Sequence, residues 1–171
     1  MEFIPDRIFY VYNEGNNQMP IFFKEENYHF FQGKMRKHLL PYADLLTYCL
    51  LPDSFFWLIY VFPEGCLPSR AVKPVRAKTT RQDLPASHFY QQVLCRSIGT
   101  LLSSYTRAIN KQKNRSGSLF RSKTRARDYQ SGLPLPGIEP GMIFASEADF
   151  AAHCLQFFHH LPLEKELVNH P

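Results

Sequence analysis

ADLLTYCLLPDSFFWLIYVF, residues 43–62, sets the architecture of this chain. Two runs rich in aromatic and aliphatic residues flank Pro52-Asp53, a pair suited to a tight turn, so Ala43–Leu50 and Ser54–Phe62 are predicted to be two strands of one hairpin. The second run is hydrophobic at nearly every position, the pattern of a central strand buried on both faces. Outward from this hairpin, RIFYVY at Arg7–Tyr12 is a further strand, followed by the turn residues Asn13-Glu14-Gly15-Asn16.

Helices fill the intervals. Tyr28, Phe31, Met35 and Leu39 recur at helical spacing between Glu25 and Leu40, and Pro41 cannot continue the hydrogen-bond ladder. Val93, Ile98, Leu101, Leu102, Tyr105 and Ile109 predict a second helix from Ser87 to Lys111, broken by Arg115-Ser116-Gly117-Ser118. Leu119–Arg127 reads as extended. Ser146, with Asp149 three residues later, predicts the cap of a last helix running to about His160. Prolines 63, 68, 74 and 85 mark a long, mobile, basic connection over about 63–86, and SGLPLPGIEPG marks a loop over about 130–141. The order strand, helix, two strands, helix, strand, helix predicts an α+β fold, ferredoxin-like or RRM-like. Its sheet is mainly antiparallel, with helices packed on it, in a single domain spanning 1–171.

Composition narrows the class. A 44% hydrophobic and 15% aromatic content belongs to a globular protein. No apolar run approaches the roughly 20 residues of a membrane span. Cys49, Cys66, Cys95 and Cys154 show no zinc spacing, and the opening MEFIPDRIFY shows no signal-peptide pattern, so a cytoplasmic protein with reduced thiols is expected. Charge is segregated: residues 69–127 hold fourteen Lys/Arg against Asp83 alone, whereas acids outnumber bases on both sides. Such a distribution suits a polyanion, most simply nucleic acid.

Within that middle, no acid interrupts residues 107–127. Arg121, Lys123, Arg125 and Arg127 alternate, so an extended segment would set them on one side, with Arg107, Lys111, Lys113 and Arg115 preceding them. These eight are the candidate DNA-binding residues; a solvated edge strand charged against aggregation is the competing reading. Tyr10, Tyr12, Phe22, Tyr48, Phe55, Trp57 and Tyr60 could stack bases on an open sheet face, but core packing is the favoured reading, with helices covering one face. His159 and His160 point about 100° apart on a helix, so with His153 and Cys154 nearby they still predict no chelate.

Four segments together resemble the HUH single-tyrosine transposases, especially the REP-associated branch. VYNEGNNQMPIFFKEENYHFF resembles that family's first strand, turn and first helix, and LLTYCLLPDSFFWLIYV its paired strands. SYTRAINKQKNRSGSLFRSKTRAR is similar to its long helix and the element after it, and ASEADFAAHCLQFFHHLPLEKELV to its nucleophile helix. The resemblance implies two histidines on one strand face holding Mg²⁺ or Mn²⁺, helped by an Asn or Gln one turn after a nucleophilic tyrosine. It also implies a tail beyond that helix. Here the histidine positions are Ser54 and Phe56, the tyrosine position is Phe157, and the position one turn on is Leu161. All four roles are vacated. The expectation is a transposase-derived protein without catalytic residues, metal or other cofactor, binding hairpin or single-stranded DNA and no membrane, with a homodimer left open. Two alternatives stand beside it: an active metal-dependent DNA-nicking transposase using other residues, Tyr105 or Tyr129 among them, and a protein-interaction module that keeps only the fold.

Overall fold

Leu51 pairs with Ser54 across Pro52-Asp53, and from that turn the hairpin of β2 (Ala43–Leu51) and β3 (Ser54–Val61) runs back to Ala43 opposite Val61, with one bulge between Leu45 and Thr47. The computed structural model describes residues 3–63 and 86–164, with side chains described at 3–63 and 93–162. The connection expected at about 63–86, with Cys66, lies almost wholly outside the described residues.

β1 (Arg7–Glu14) adds to the free side of β3 in antiparallel register, from Arg7 opposite Val61 to Glu14 opposite Ser54. β4 (Arg125–Arg127) then pairs with β1 through Tyr10–Arg127, Val11–Ala126 and Tyr12–Arg125. The antiparallel order is β2-β3-β1-β4. With α1 (Glu25–His38) after β1 and α2 (Ala86–Gln112) after β3, this is the βαββαβ layout of a ferredoxin-like fold, extended by α3 (Glu147–Glu164). The expected α+β class holds.

Strand alternation sorts the core into two layers. Phe9, Val11, Phe55, Trp57 and Ile59 face α1 and α2, where Phe31, Met35, Ile98, Leu101, Tyr105 and Ile109 meet them. Phe55 stacks on Trp57 at 4.2 Å, and Phe31 stands edge-on to Tyr105 at 4.9 Å. Burying each such side chain contributes roughly 1.5–3 kcal/mol. Tyr10, Tyr12, Phe56 and Leu58 face the other way, against Phe150, Cys154, Phe158 and Leu161 of α3. Helices therefore cover both faces of the sheet, not the one face expected, which explains why β3 is apolar throughout.

Two segments depart from their sequence reading. Only three residues of the extended stretch 119–127 pair as a strand, because the buried Asn13 side chain captures the chain short of it. Its Nδ2 donates to Thr124 Oγ1 at 2.9 Å and to the Arg121 carbonyl at 3.2 Å. The Pro/Gly-rich loop is packed: Leu135 and Ile138 exchange backbone hydrogen bonds of 3.3 and 2.8 Å and are buried beneath α3. The cap of α3 forms as expected, with the Asp149 amide donating to Ser146 Oγ at 3.1 Å. The helix runs on past His160 through Pro162. Gly15, at the end of β1, has no room for a Cβ, which would lie 1.9 Å from the Met19 carbonyl oxygen.

Candidate nucleic-acid interface

Ser54 and Phe56 lie two apart on β3 and so share the face turned to α3, while Phe157 and Leu161 are one turn apart on that helix. The fold brings three of these positions into one apolar cluster. Phe56 and Phe157 meet edge to face at 6.3 Å, Phe158 stands 5.8 Å from Phe56, and Leu161 is buried beside them. Ser54 is buried at the start of the strand and donates from Oγ to Asp53 Oδ1 at 2.8 Å. A divalent metal needs lone pairs that Phe56 and Leu161 do not possess, and a serine hydroxyl is a weak ligand. The residues present do not fit the metal that the resemblance implies. Among the described residues no group of three or more His, Cys, Asp or Glu is placed to hold one.

The Pro/Gly-rich loop closes over this cluster, an arrangement not read from the sequence. Gly137, at φ +75°, presses on the Phe157 ring so closely that a Cβ would sit 2.4 Å from Phe157 Cδ2. Three side chains hold the loop there. Tyr10 Oη donates to the Pro136 carbonyl at 3.0 Å and His153 Nε2 to the Gly137 carbonyl at 2.6 Å. Arg127 donates to the Leu133 and Met142 carbonyls at 2.7 and 2.5 Å. Beside Arg127, burial pushes the Cys154 thiol up to about 12. Pro136-Gly137 signals a turn in the sequence, and nothing there signals the approach to Phe157.

The candidate substitute tyrosines lie on different faces of the sheet, Tyr105 in the core under α1 and α2 and Tyr129 against the cluster that holds Phe56 and Leu161. Tyr105 is buried on the opposite face of the sheet, donates to the Ile21 carbonyl at 2.8 Å, and burial raises its ionisation well above the ordinary phenol value. Tyr129 is half-buried beside the second core and accepts a hydrogen bond from Gln130 Nε2 at 2.9 Å. Burial also raises Tyr10 and Tyr12, and Tyr12 Oη donates to Glu14 at 2.6 Å. Tyr10, Tyr12, Phe22, Phe55 and Trp57 are core residues. Tyr48 is exposed on edge strand β2, and Tyr60 donates to Asp6 at 2.5 Å. His159 and His160 are exposed on α3.

The eight candidate cations divide. Arg107, Lys111 and Lys113 are exposed at the end of α2 and just beyond it, Lys113 lying over the Phe23 ring at 4.4 Å. Lys123 and Arg125 are exposed, and among the described residues neither forms an ion pair. Arg121 pairs with Glu14 at 2.8 Å, which lowers the charge it offers outward. Arg127 departs from the expected stripe: it is 1% exposed, because the loop carbonyls draw its guanidinium inward. A groove of about 1700 Å³ runs between α2 and β4, and Arg107, Arg115, Arg121, Lys123 and Arg125 all line it. None of Ser54, Phe56, Phe157 and Leu161 lines it, although Leu135 of the loop packed on them does.

The fold is shared with a REP-associated tyrosine transposase. That protein was solved bound to a REP hairpin, and it superposes with a TM-score of 0.53 over 98% of this chain and 73% of its own, at 11% sequence identity. At that identity the likeness speaks for the fold. Neither a protein-family model nor a curated protein sequence matches the chain. No described helix is long and apolar enough to cross a membrane.

Proposed function

We propose that this chain is a transposase-derived DNA-binding protein that does not cleave DNA. One observation carries the reading: the positions where the resemblance puts metal ligands and nucleophile are filled by Phe56, Phe157 and Leu161 packed together, while exposed cations persist around the groove beside α2. Apolar replacement removes both the Lewis acid and the hydroxyl from strand cleavage. It leaves phosphate anchoring intact, because that needs only accessible Lys and Arg. Arg107, Lys111, Lys113, Arg115, Lys123 and Arg125 are the residues of this surface, with Arg121 contributing once its pair with Glu14 opens. A structural neighbour bound to a DNA hairpin supports a hairpin or single strand as the ligand.

The test is a gel-shift with labelled hairpin DNA, repeated with Mg²⁺ and Mn²⁺ and resolved on a denaturing gel. Salt-sensitive binding with no nick and no protein–DNA adduct is expected. A nick or adduct would show that other residues have taken over the chemistry.

A further inference from the structure

Part of the wall of the groove between α2 and β4 is the Pro/Gly-rich loop: Ser131, Leu133, Pro134 and Leu135 all line it. The same backbone then leaves the groove. Leu135 also packs in the cluster with Phe158 and Leu161, the Pro136 carbonyl accepts from Tyr10, and Gly137 lies on the Phe157 ring. Between Leu133 and Gly137 the chain therefore passes from the cationic groove to the cluster beneath α3.

Arg127 ties both limbs of this loop to the sheet. Its backbone pairs β4 to Tyr10 of β1, and its guanidinium donates to the Leu133 carbonyl on the outgoing limb and the Met142 carbonyl on the returning one, at 2.7 and 2.5 Å. Arg127 itself does not line the groove. The tie is a costly one. Its side chain is buried, its Nε has no hydrogen-bond partner, and among the described residues it forms no ion pair. Asp128, next along the chain, is committed to Arg7 at 2.9 Å and to the Ser131 amide at 2.8 Å. A buried cation held only by carbonyls has lost its hydration without gaining a counter-charge. A polyanion in the groove, beside Arg125 two residues away, would supply that charge from outside, across a wall of low dielectric.

We infer that Arg127 is a positioning residue for the DNA surface: by seating the loop it holds the groove's wall in place, and it couples occupancy of the groove to the contact of Gly137 with Phe157. The inference rests on the DNA-binding reading above and adds a control of that surface from the α3 side. Such coupling is reciprocal. DNA in the groove tightens the loop over Phe157, and loosening the loop weakens DNA binding, because only molecules with the wall in place bind fully. Arg127 thus acts on affinity without touching a phosphate.

Hydrogen exchange and fluorescence anisotropy with one labelled DNA hairpin test both directions. Residues 137–142 lie beyond Leu135, the last loop residue in the groove, so direct cover by DNA is not what slows their amides. The expected result is exchange across 137–142 slowed by about fivefold or more in the complex. Arg127→Met and Phe157→Ala should each weaken hairpin affinity by about fivefold or more, with the slope of log affinity against log salt unchanged. A shallower slope in Arg127→Met would put its charge on a phosphate and overturn the positioning role. No slowing across 137–142, or unaltered affinity in Phe157→Ala, would overturn the coupling while leaving the cationic surface standing. Neither of those readouts needs Arg127→Met to fold. Failure of the unaltered protein to bind the hairpin would remove both readings.

Discussion

Phe157 of α3 stands edge-on to Phe56 of β3, ring centroids 6.3 Å apart and planes inclined by 76°. The contact joins the positions at which the resemblance puts a nucleophile and a metal ligand, and both side chains pack in the apolar cluster beneath α3. Introducing that chemistry there conflicts with the packing. Ser54→His/Phe56→His/Phe157→Tyr/Leu161→Asn places new polar groups at sites that are partly buried at Phe157 and buried at the other three. Each unpaired group costs about 1–3 kcal/mol. The expected outcome is a lower melting temperature with no nicking and no covalent adduct in Mn²⁺. An adduct on a denaturing gel would show that the centre stays reachable beneath the loop.

Gly137 and Phe157 are coupled by the same geometry. Gly137→Ala introduces a Cβ 2.4 Å from the ring at a left-handed φ of +75°. The backbone term alone costs roughly 1–2 kcal/mol, and the collision adds to it. Phe157→Ala opens space for that Cβ. The double variant is therefore expected to be less destabilised than the sum of the singles, a coupling of about 1 kcal/mol in a denaturant-melt cycle. Strict additivity would mean that the loop does not rest on the ring.

How far these relationships could be read beforehand differs from residue to residue. The hairpin turn at Pro52-Asp53 and the span of α2 were legible because turn chemistry and helical spacing are local: the observed Ala86–Gln112 nearly matches the expected 87–111. The Ser146 cap is local too. Arg127 was not legible, because alternation sets the side of a strand but not whether carbonyls six and fifteen residues onward will claim a guanidinium. The loop over Phe157 escaped for the same reason: SGLPLPGIEPG announces irregular backbone and says nothing of the surface it lands on. Covering of the second sheet face by α3 is a matter of connection, although the two-sided hydrophobicity of β3 had demanded some cover.

Arg127 and Arg125 sit two residues apart on β4, and opposite consequences follow from their burial. Arg127→Met removes two charge-assisted hydrogen bonds to the loop and should cost about 2–3 kcal/mol of stability. It should leave the dependence of DNA affinity on salt unchanged. Arg107→Ala/Lys123→Ala/Arg125→Ala removes exposed cations, so the melting temperature should hold while the slope of log affinity against log salt becomes shallower by about 2, roughly 0.7 for each lost contact to a single strand. Salt titrations of labelled single-stranded DNA with both variants check the contrast. An unchanged slope in the triple variant would remove these cations from the DNA surface.

Tyr10 predicts how the fold responds to alkali. Its phenol is buried, donates to the Pro136 carbonyl at 3.0 Å, and is held protonated far above the ordinary value of 10.0, chiefly by burial. Because the folded-state value is raised, its contribution to stability is full below pH 10 and is lost as pH rises beyond it, where the unfolded chain gives up the proton and the folded chain does not. The slope for one such group is about 1.4 kcal/mol per pH unit. Tyr10→Phe deletes the titrating group along with its hydrogen bond. The variant should be less stable at neutral pH by about 1 kcal/mol, and should then lose less stability than the unaltered protein above pH 10. Urea melts taken across the alkaline range give both curves. If they fall in parallel, Tyr10 ionises in the folded protein and its hold on the loop over Phe157 is weaker than the 3.0 Å contact implies.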